Sequence, residues 1–154
     1  MNGALGSPEA KAAIPHMKER VESYADGDTL ILFTKDTHGT DYEQTLEGKK
    51  LPVAHCQRDT RGWSLVKEIS KLADGYFGST KLMEILKAGE KKISEIIFMG
   101  FCTDICVISN VLMAKAFLPN TPITVEASCC AGSTIEKHYA ALAVMESCHI
   151  NIVE

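Results

Sequence analysis

The chain has 154 residues, 45% hydrophobic and 23% charged, with a formal net charge of -4 at pH 7. That make-up suits one globular domain spanning residues 1–154, long enough to bury a core. A mildly acidic chain has no electrostatic grip on nucleic acid or anionic lipid, and no apolar run reaches the length of a membrane span, so neither partner is expected.

In chain order, MNGALGSPEA lacks the basic start and apolar middle of an export signal, so a cytoplasmic location is expected. The six cysteines, at 56, 102, 106, 129, 130 and 148, are then read as reduced thiols rather than disulfides. Ser7, Pro8 and Glu9 read as N-cap, first helical position and acidic first turn of a helix. Ile14, Met17, Val21 and Tyr24 line one face of that helix, and ADGD at 25–28 ends it. TLILFT, 29–34, is β-branched and apolar on both faces, a strand, whereas the polar KDTHGTDYEQTLEGKK after it predicts a loop. LPVAHC, 51–56, reads as short and irregular. Trp63, Val66, Ile69 and Leu72 predict a helix closed by ADG at 73–75, and after a YFGS turn Leu82, Ile85 and Leu86 predict another over 80–88.

The wholly apolar Ile96–Met99 has the pattern of a strand buried on both faces of a parallel sheet. Val107, Val111, Leu112 and Phe117 then recur at helical spacing until Pro119, so GFCTDICV, 100–107, is a strand-to-helix turn with Cys106 in the helix's first turn. ITVEA, 123–127, predicts a strand and SCCAGST a loop. A helix through Tyr139, Leu142 and Met145 and a last strand, 149–153, complete the chain. The repeated β-then-α order predicts an α/β fold: three layers, α/β/α, around a mostly parallel sheet. Ligands of such sheets bind at the carboxyl ends of strands. Asp36 with His38, the 102–106 turn and the 128–133 loop all fall there.

A cysteine in a helix's first turn meets the positive end of the helix dipole and unpaired N–H groups, which favour thiolate. The same turn offers the N–H groups of Cys102 and Cys106 to an oxyanion. The competing reading is a buried cysteine packed under the sheet like Cys148, the commoner fate of a free thiol. Asp36 and His38, one residue apart in extended chain, point to the same side, and His55 supplies a third ligand. One carboxylate and two imidazoles with open positions suit zinc, iron or manganese, and no organic cofactor is implied. D-x-H alone is a weak pattern, matched by many solvated loops.

GFCTDICV resembles the G-x-x-T-D-x-C-V signature of the isochorismatase-like cysteine hydrolases, the group that includes nicotinamidases and N-carbamoylsarcosine amidohydrolases. TKDTHGTDYEQTLEGKKLPVAHC resembles the family's T-x-D-x-H and L-P-x-H-C segments. YFGST resembles the turn after its third strand, and VEASCCAGST with His138 its late D-A-C-A loop and helix. The resemblance implies the isochorismatase-like fold and a nicotinamidase-like amidase cleaving the C–N bond of a small amide through a thioester. In that scheme Cys106 is the nucleophile and the Cys102 N–H, aimed by a cis peptide between Phe101 and Cys102, lies in the oxyanion hole. It also implies a metal on Asp36, His38 and His55 and a homo-oligomer.

Where many nicotinamidases carry a further histidine after D-x-H, residues 39–44 hold none. The family's first strand, which ends in the aspartate that serves as general base, has no counterpart, because MNGALGSPEA resembles the residues just after it. ADG running into YFGST leaves the expectation that part of the third strand, with its lysine, is missing too. Asp26 and Asp28 lie at the wrong edge of the sheet to replace the base, and Lys35 and Lys81 read as solvated. Two alternatives therefore stand beside the enzyme: a catalytically impaired member that binds a small ligand or partner, and, on cysteine count alone, a thiol redox sensor. Loss of a central strand would also leave two ranks of backbone groups unpaired unless the halves close up or another chain fills the gap.

Overall fold

The computed structural model describes residues 3–25, 27–70, 75–77 and 79–154. Helix α1 (Pro8–Tyr24) begins as its sequence dictates: the Ser7 hydroxyl accepts a hydrogen bond from the Ala10 N–H at 3.0 Å, and Pro8 occupies the first turn, where its missing N–H costs nothing. Strand β1 (Leu32–Thr34) follows, shorter than the 29–34 expected. The polar stretch after it holds a short helix, α2 (Leu46–Lys50), capped by Thr45, whose hydroxyl accepts from the Gly48 N–H at 2.9 Å. The helix expected from Trp63 onward is a 3-10 turn, Arg61–Trp63, and one turn of α3 (Lys67–Ser70); Leu72, Ala73 and Asp74 lie outside the described residues.

Strand β2 (Gly75–Phe77) corrects the sequence reading, which took YFGS as a turn. Three residues too short to show a period are identified as a strand only by the parallel partner, Leu32–Thr34, that they find in the fold. Helix α4 (Ser79–Gly89) then leads to β3 (Ile96–Phe101). A single π-helical turn, Thr103–Val107, precedes α5 (Ile108–Phe117), so Cys106 lies in that wide turn and not in the α-helix proper. Strand β4 (Ile123–Ala131) runs four residues further than expected, into the cysteine-rich loop. Helix α6 (Ile135–Ser147) and β5 (Asn151–Val153) finish the chain.

All strand pairs are parallel, and side chains alternate between two cores. Ile31, Phe33, Met99 and Phe101 pack toward Met17 and Val21 of α1 and Ile69 of α3, while Leu32 and Phe98 pack toward α4, α5 and α6 around the fully buried Val111, Val125 and Met145. Burying a side chain of that size stabilises the fold by about 1.5–3 kcal/mol each. Buried Glu126 on β4 is gripped by the Arg20 guanidinium and the Tyr24 hydroxyl of α1, which ties that helix to the sheet.

The ladders form two separate sheets, β1–β2 and β3–β4–β5, and among the described residues no ladder joins β1 to β3 although both face the same cores. The consequence shows in burial. Almost all of β4 is buried, whereas all six residues of the more apolar β3 are only half-buried, one edge of β3 having no ladder partner among the described residues. The β3–β4 register slips between Phe98 and Gly100, and Gly100 takes φ +140, a backbone conformation that side-chain-bearing residues rarely adopt. That bend turns the chain into the π-helical turn and its cysteine.

Candidate active site

Beyond β1 the chain is fastened to a distant segment: the His38 N–H donates to the Cys56 carbonyl and the Arg58 N–H to the His38 carbonyl, both at 3.0 Å. These two bonds carry His55 to the side of Asp36 and His38. Cys56 takes φ 45 at this crossing. His38 Nε2 lies 2.8 Å and His55 Nε2 3.5 Å from Asp36 Oδ2. The structure thus brings together all three residues expected from the sequence to bind metal, and it sets a fourth donor beside them. Glu47 of α2 places Oε1 at 3.8 Å from His38 Nε2 and 3.7 Å from His55 Nε2, and the four donor atoms lie within 4.8 Å of one another.

Several features prepare this cluster for a cation. A carbonyl can only accept, so the 2.7 Å contact from His55 Nδ1 to the Val53 oxygen puts the proton on Nδ1 and leaves the Nε2 lone pair facing the other donors. The rings of His38, His55 and the fully buried Tyr42 meet edge to face at 4.6–5.1 Å, and the Tyr42 hydroxyl donates to the Leu51 carbonyl at 2.8 Å. The imidazoles are 12% and 8% exposed but the carboxylates 49% and 53%, giving a fixed wall with an open mouth. Donors each about 2.1 Å from a shared tetrahedral ion stand roughly 3.4 Å apart; the 3.5–3.8 Å spacings from His55 to Asp36 and from Glu47 to both histidines lie near that value, whereas His38 and Asp36, 2.8 Å apart, are hydrogen-bonded to each other. Two imidazoles and two carboxylates suit zinc, iron or manganese.

Glu47 was missed because it falls in a run of charged residues that reads as solvated loop. The signal that could have found it is Thr45 followed by an acidic first turn, the start of a helix.

Across the site, Cys106 Sγ donates to the Phe101 carbonyl at 2.8 Å, and the Phe101–Cys102 peptide is cis. The Cys106 thiol is raised above its ordinary range, chiefly by burial and secondarily by the negative charge of Asp36. The main-chain N–H groups of Cys102, Cys106 and Val107 pull the other way. The turn therefore supplies the N–H cradle expected, but burial outweighs it. Asp36 follows β1 and Cys106 follows β3, two strands whose side chains share the same cores. Burial also pushes Cys102 up to about 11, so its part in the site falls to its N–H rather than its thiol.

Among the described residues no carboxylate is hydrogen-bonded to Cys106. Asp104 is bound twice by Ser133, through the main-chain N–H at 2.7 Å and the hydroxyl at 2.6 Å. Lys35 stacks with Nζ 3.2 Å from the centre of the Trp63 ring, whose N–H donates to the Thr37 hydroxyl, so it belongs to the wall beside the cation cluster. Lys81 and Asp28 are exposed. Strand β2 occupies the place where the sequence reading expected part of the third strand to be missing; Lys71, ahead of it in the sequence, lies outside the described residues.

The family model of the Isochorismatase domain matches residues 1–153, and the chain belongs to that family of hydrolases. The nicotinamidase/pyrazinamidase of Bacillus subtilis shares its fold at a TM-score of 0.81 and 22% identity, covering 97% of this chain and 88% of that one. The pyrazinamidase of Pyrococcus horikoshii, solved in complex with zinc, superposes at 0.82 and 22% identity over 100% and 92%. The pyrazinamidase/nicotinamidase of Streptococcus mutans does so at 0.78 and 20% over 95% and 87%. No curated protein sequence matches.

Proposed function

We propose that the protein hydrolyses the C–N bond of a small amide of the nicotinamide or carbamoyl class, with Cys106 as nucleophile. The observation that carries this reading is the placing of Cys106 in the turn after β3, behind the cis Phe101–Cys102 peptide, with the four-donor cluster gathered beyond β1 and the charge of Asp36 helping to raise the thiol. The Cys106 thiolate attacks the amide carbonyl, and the oxygen takes the negative charge while facing the Cys102 and Cys106 N–H groups. Collapse breaks the C–N bond, the nitrogen takes up the proton that the Cys106 thiol gave up and leaves as ammonia, and a thioester remains on Cys106. Water adds to that thioester, releasing the carboxylic acid and restoring the thiol.

Asp36, His38, Glu47 and His55 would hold the metal. Bound there, a divalent cation would supply a Lewis acid able to hold a substrate heteroatom. His55, fixed by Val53, and Tyr42 behind the two imidazoles keep that wall in place. The Cys106 proton has no carboxylate acceptor among the described residues, and this observation supports the second reading, a member that binds a small amide but turns it over slowly. Ammonia release from nicotinamide and from N-carbamoylsarcosine, assayed with zinc, iron or manganese, separates the two. Release abolished by Cys106→Ala supports the hydrolase, and saturable binding of the amide without release supports the second reading.

A further inference from the structure

The turn that presents Cys106 is closed by main-chain bonds, from Ile105 and Val107 to the Cys102 carbonyl at 3.1 and 3.2 Å and from Ile108 to the Thr103 and Ile105 carbonyls, but Cys102, at its start, provides no side-chain cap. The main-chain N–H groups of Cys102 and Cys106 favour the charged form of the sulfur. A turn whose donors act on a reactive atom needs its orientation fixed from outside.

Two side chains at the start of the turn reach an element some thirty residues away. Thr103, fully buried, meets His138 Nδ1 on α6 with its hydroxyl at 2.8 Å. Asp104 spans Ser133 with both oxygens, one on the main-chain N–H and one on the hydroxyl. Burial would raise the Asp104 carboxyl, but the Ser133 bonds, its own main-chain N–H and the charge of Lys137 outweigh it and hold the carboxyl low, so it acts as a charged, strong acceptor. Next to Ser133, Thr134 caps α6 by accepting from the Lys137 N–H, so the anchor for both contacts is a helix start and not a free loop. A third bond, from the Asn110 side chain to the Cys106 carbonyl at 2.8 Å, steadies the far side of the turn.

We propose that Asp104 and His138, with Ser133 and Thr103 as their partners, are positioning residues: a two-point latch from the nucleophile's turn to the N-terminus of α6. The latch sets where the Cys106 sulfur and the two N–H donors sit. It rests on the reading of Cys106 as nucleophile, and the test is chosen to stand apart from turnover.

The rate at which iodoacetamide alkylates Cys106 at neutral pH is measured by peptide mass spectrometry, with Cys148 in the same molecule as the control. Asp104→Ala and His138→Ala should slow Cys106 by about fivefold or more and leave Cys148 within about twofold, whereas His138→Asn, which can place an amide near the Nδ1 position, should restore most of the rate. Ser133→Ala, at an exposed position, removes only one of the two Asp104 bonds and should slow Cys106 by roughly two- to threefold. This variant and Asp104→Asn decide the matter if the alanine variants do not fold. Where an amide is turned over, kcat falls and KM stays nearly unchanged. Unchanged Cys106 alkylation in folded variants, or faster alkylation, would overturn the latch. Wild-type protein that releases no ammonia would instead overturn the amidase reading and leave the labelling result standing.

Discussion

Single atoms decide how this site works. Glu47 stands beside two imidazoles, of which His55 already turns its Nε2 lone pair to the cluster, so Glu47→Ala should weaken zinc binding about 10- to 100-fold, read by competition with a chromophoric chelator. A change of less than twofold would remove Glu47 from the ligand set. Cys106 carries a pKa raised mainly by burial, so its alkylation should keep rising through the range where an ordinary thiol, near 8.5, has levelled off. A pH–rate profile with its midpoint below that value would contradict the balance between burial and N–H donors. Asp36, His38, His55 and Cys106 were legible in the sequence because each falls at the carboxyl end of a strand or in a family-like segment. Glu47 was not, since only the fold brings its short helix against the histidines.

Elements were legible where period and caps agree, as in α1, α4 and α6, and illegible where partners decide. Three residues, Gly75–Phe77, become a strand because β1 lies beside them, and a stretch of β4 beyond Ala127 becomes strand because β3 continues next to it. Helix α2 sits so close to the preceding chain that a Cβ on Gly48 would lie 2.1 Å from the Tyr42 carbonyl oxygen. Gly48→Ala should therefore cost about 1–3 kcal/mol by overpacking and weaken metal binding, because α2 must move and take Glu47 with it. Thermal melting with a zinc titration checks both. Buried thiols add a pH dependence at this scale. Burial pushes Cys130, between β3 and α6, up to about 12, and Cys102 up to about 11. Both are raised, so their contribution to stability is complete below the ordinary thiol range and is lost as pH climbs through about 11 to 12. Denaturant midpoints should be flat up to about pH 8 and fall above it, and Cys130→Ala should flatten the fall.

For the whole molecule, the parallel sheet between two helical layers follows from the alternation of apolar strands and amphipathic helices, and that much the sequence foretold. The division into two ladders is a property of the folded chain, because a missing ladder is visible only when strands are placed side by side. An apolar strand left half-buried along one edge invites pairing with another chain. Ile97→Lys, placing a charge on that edge, should lower self-association measured by sedimentation, and an unchanged profile would mean the edge is not used.

In the proposed reaction the Cys106 sulfur carries the chemistry. The most direct measurement is rapid acid quench of the zinc-loaded protein during exposure to nicotinamide, followed by mass analysis of the peptide containing Cys106. A nicotinoyl group attached to Cys106, absent from the Cys106→Ala protein, is the predicted result. Continued ammonia release with that peptide unmodified, and release undiminished in Cys106→Ala, would contradict it.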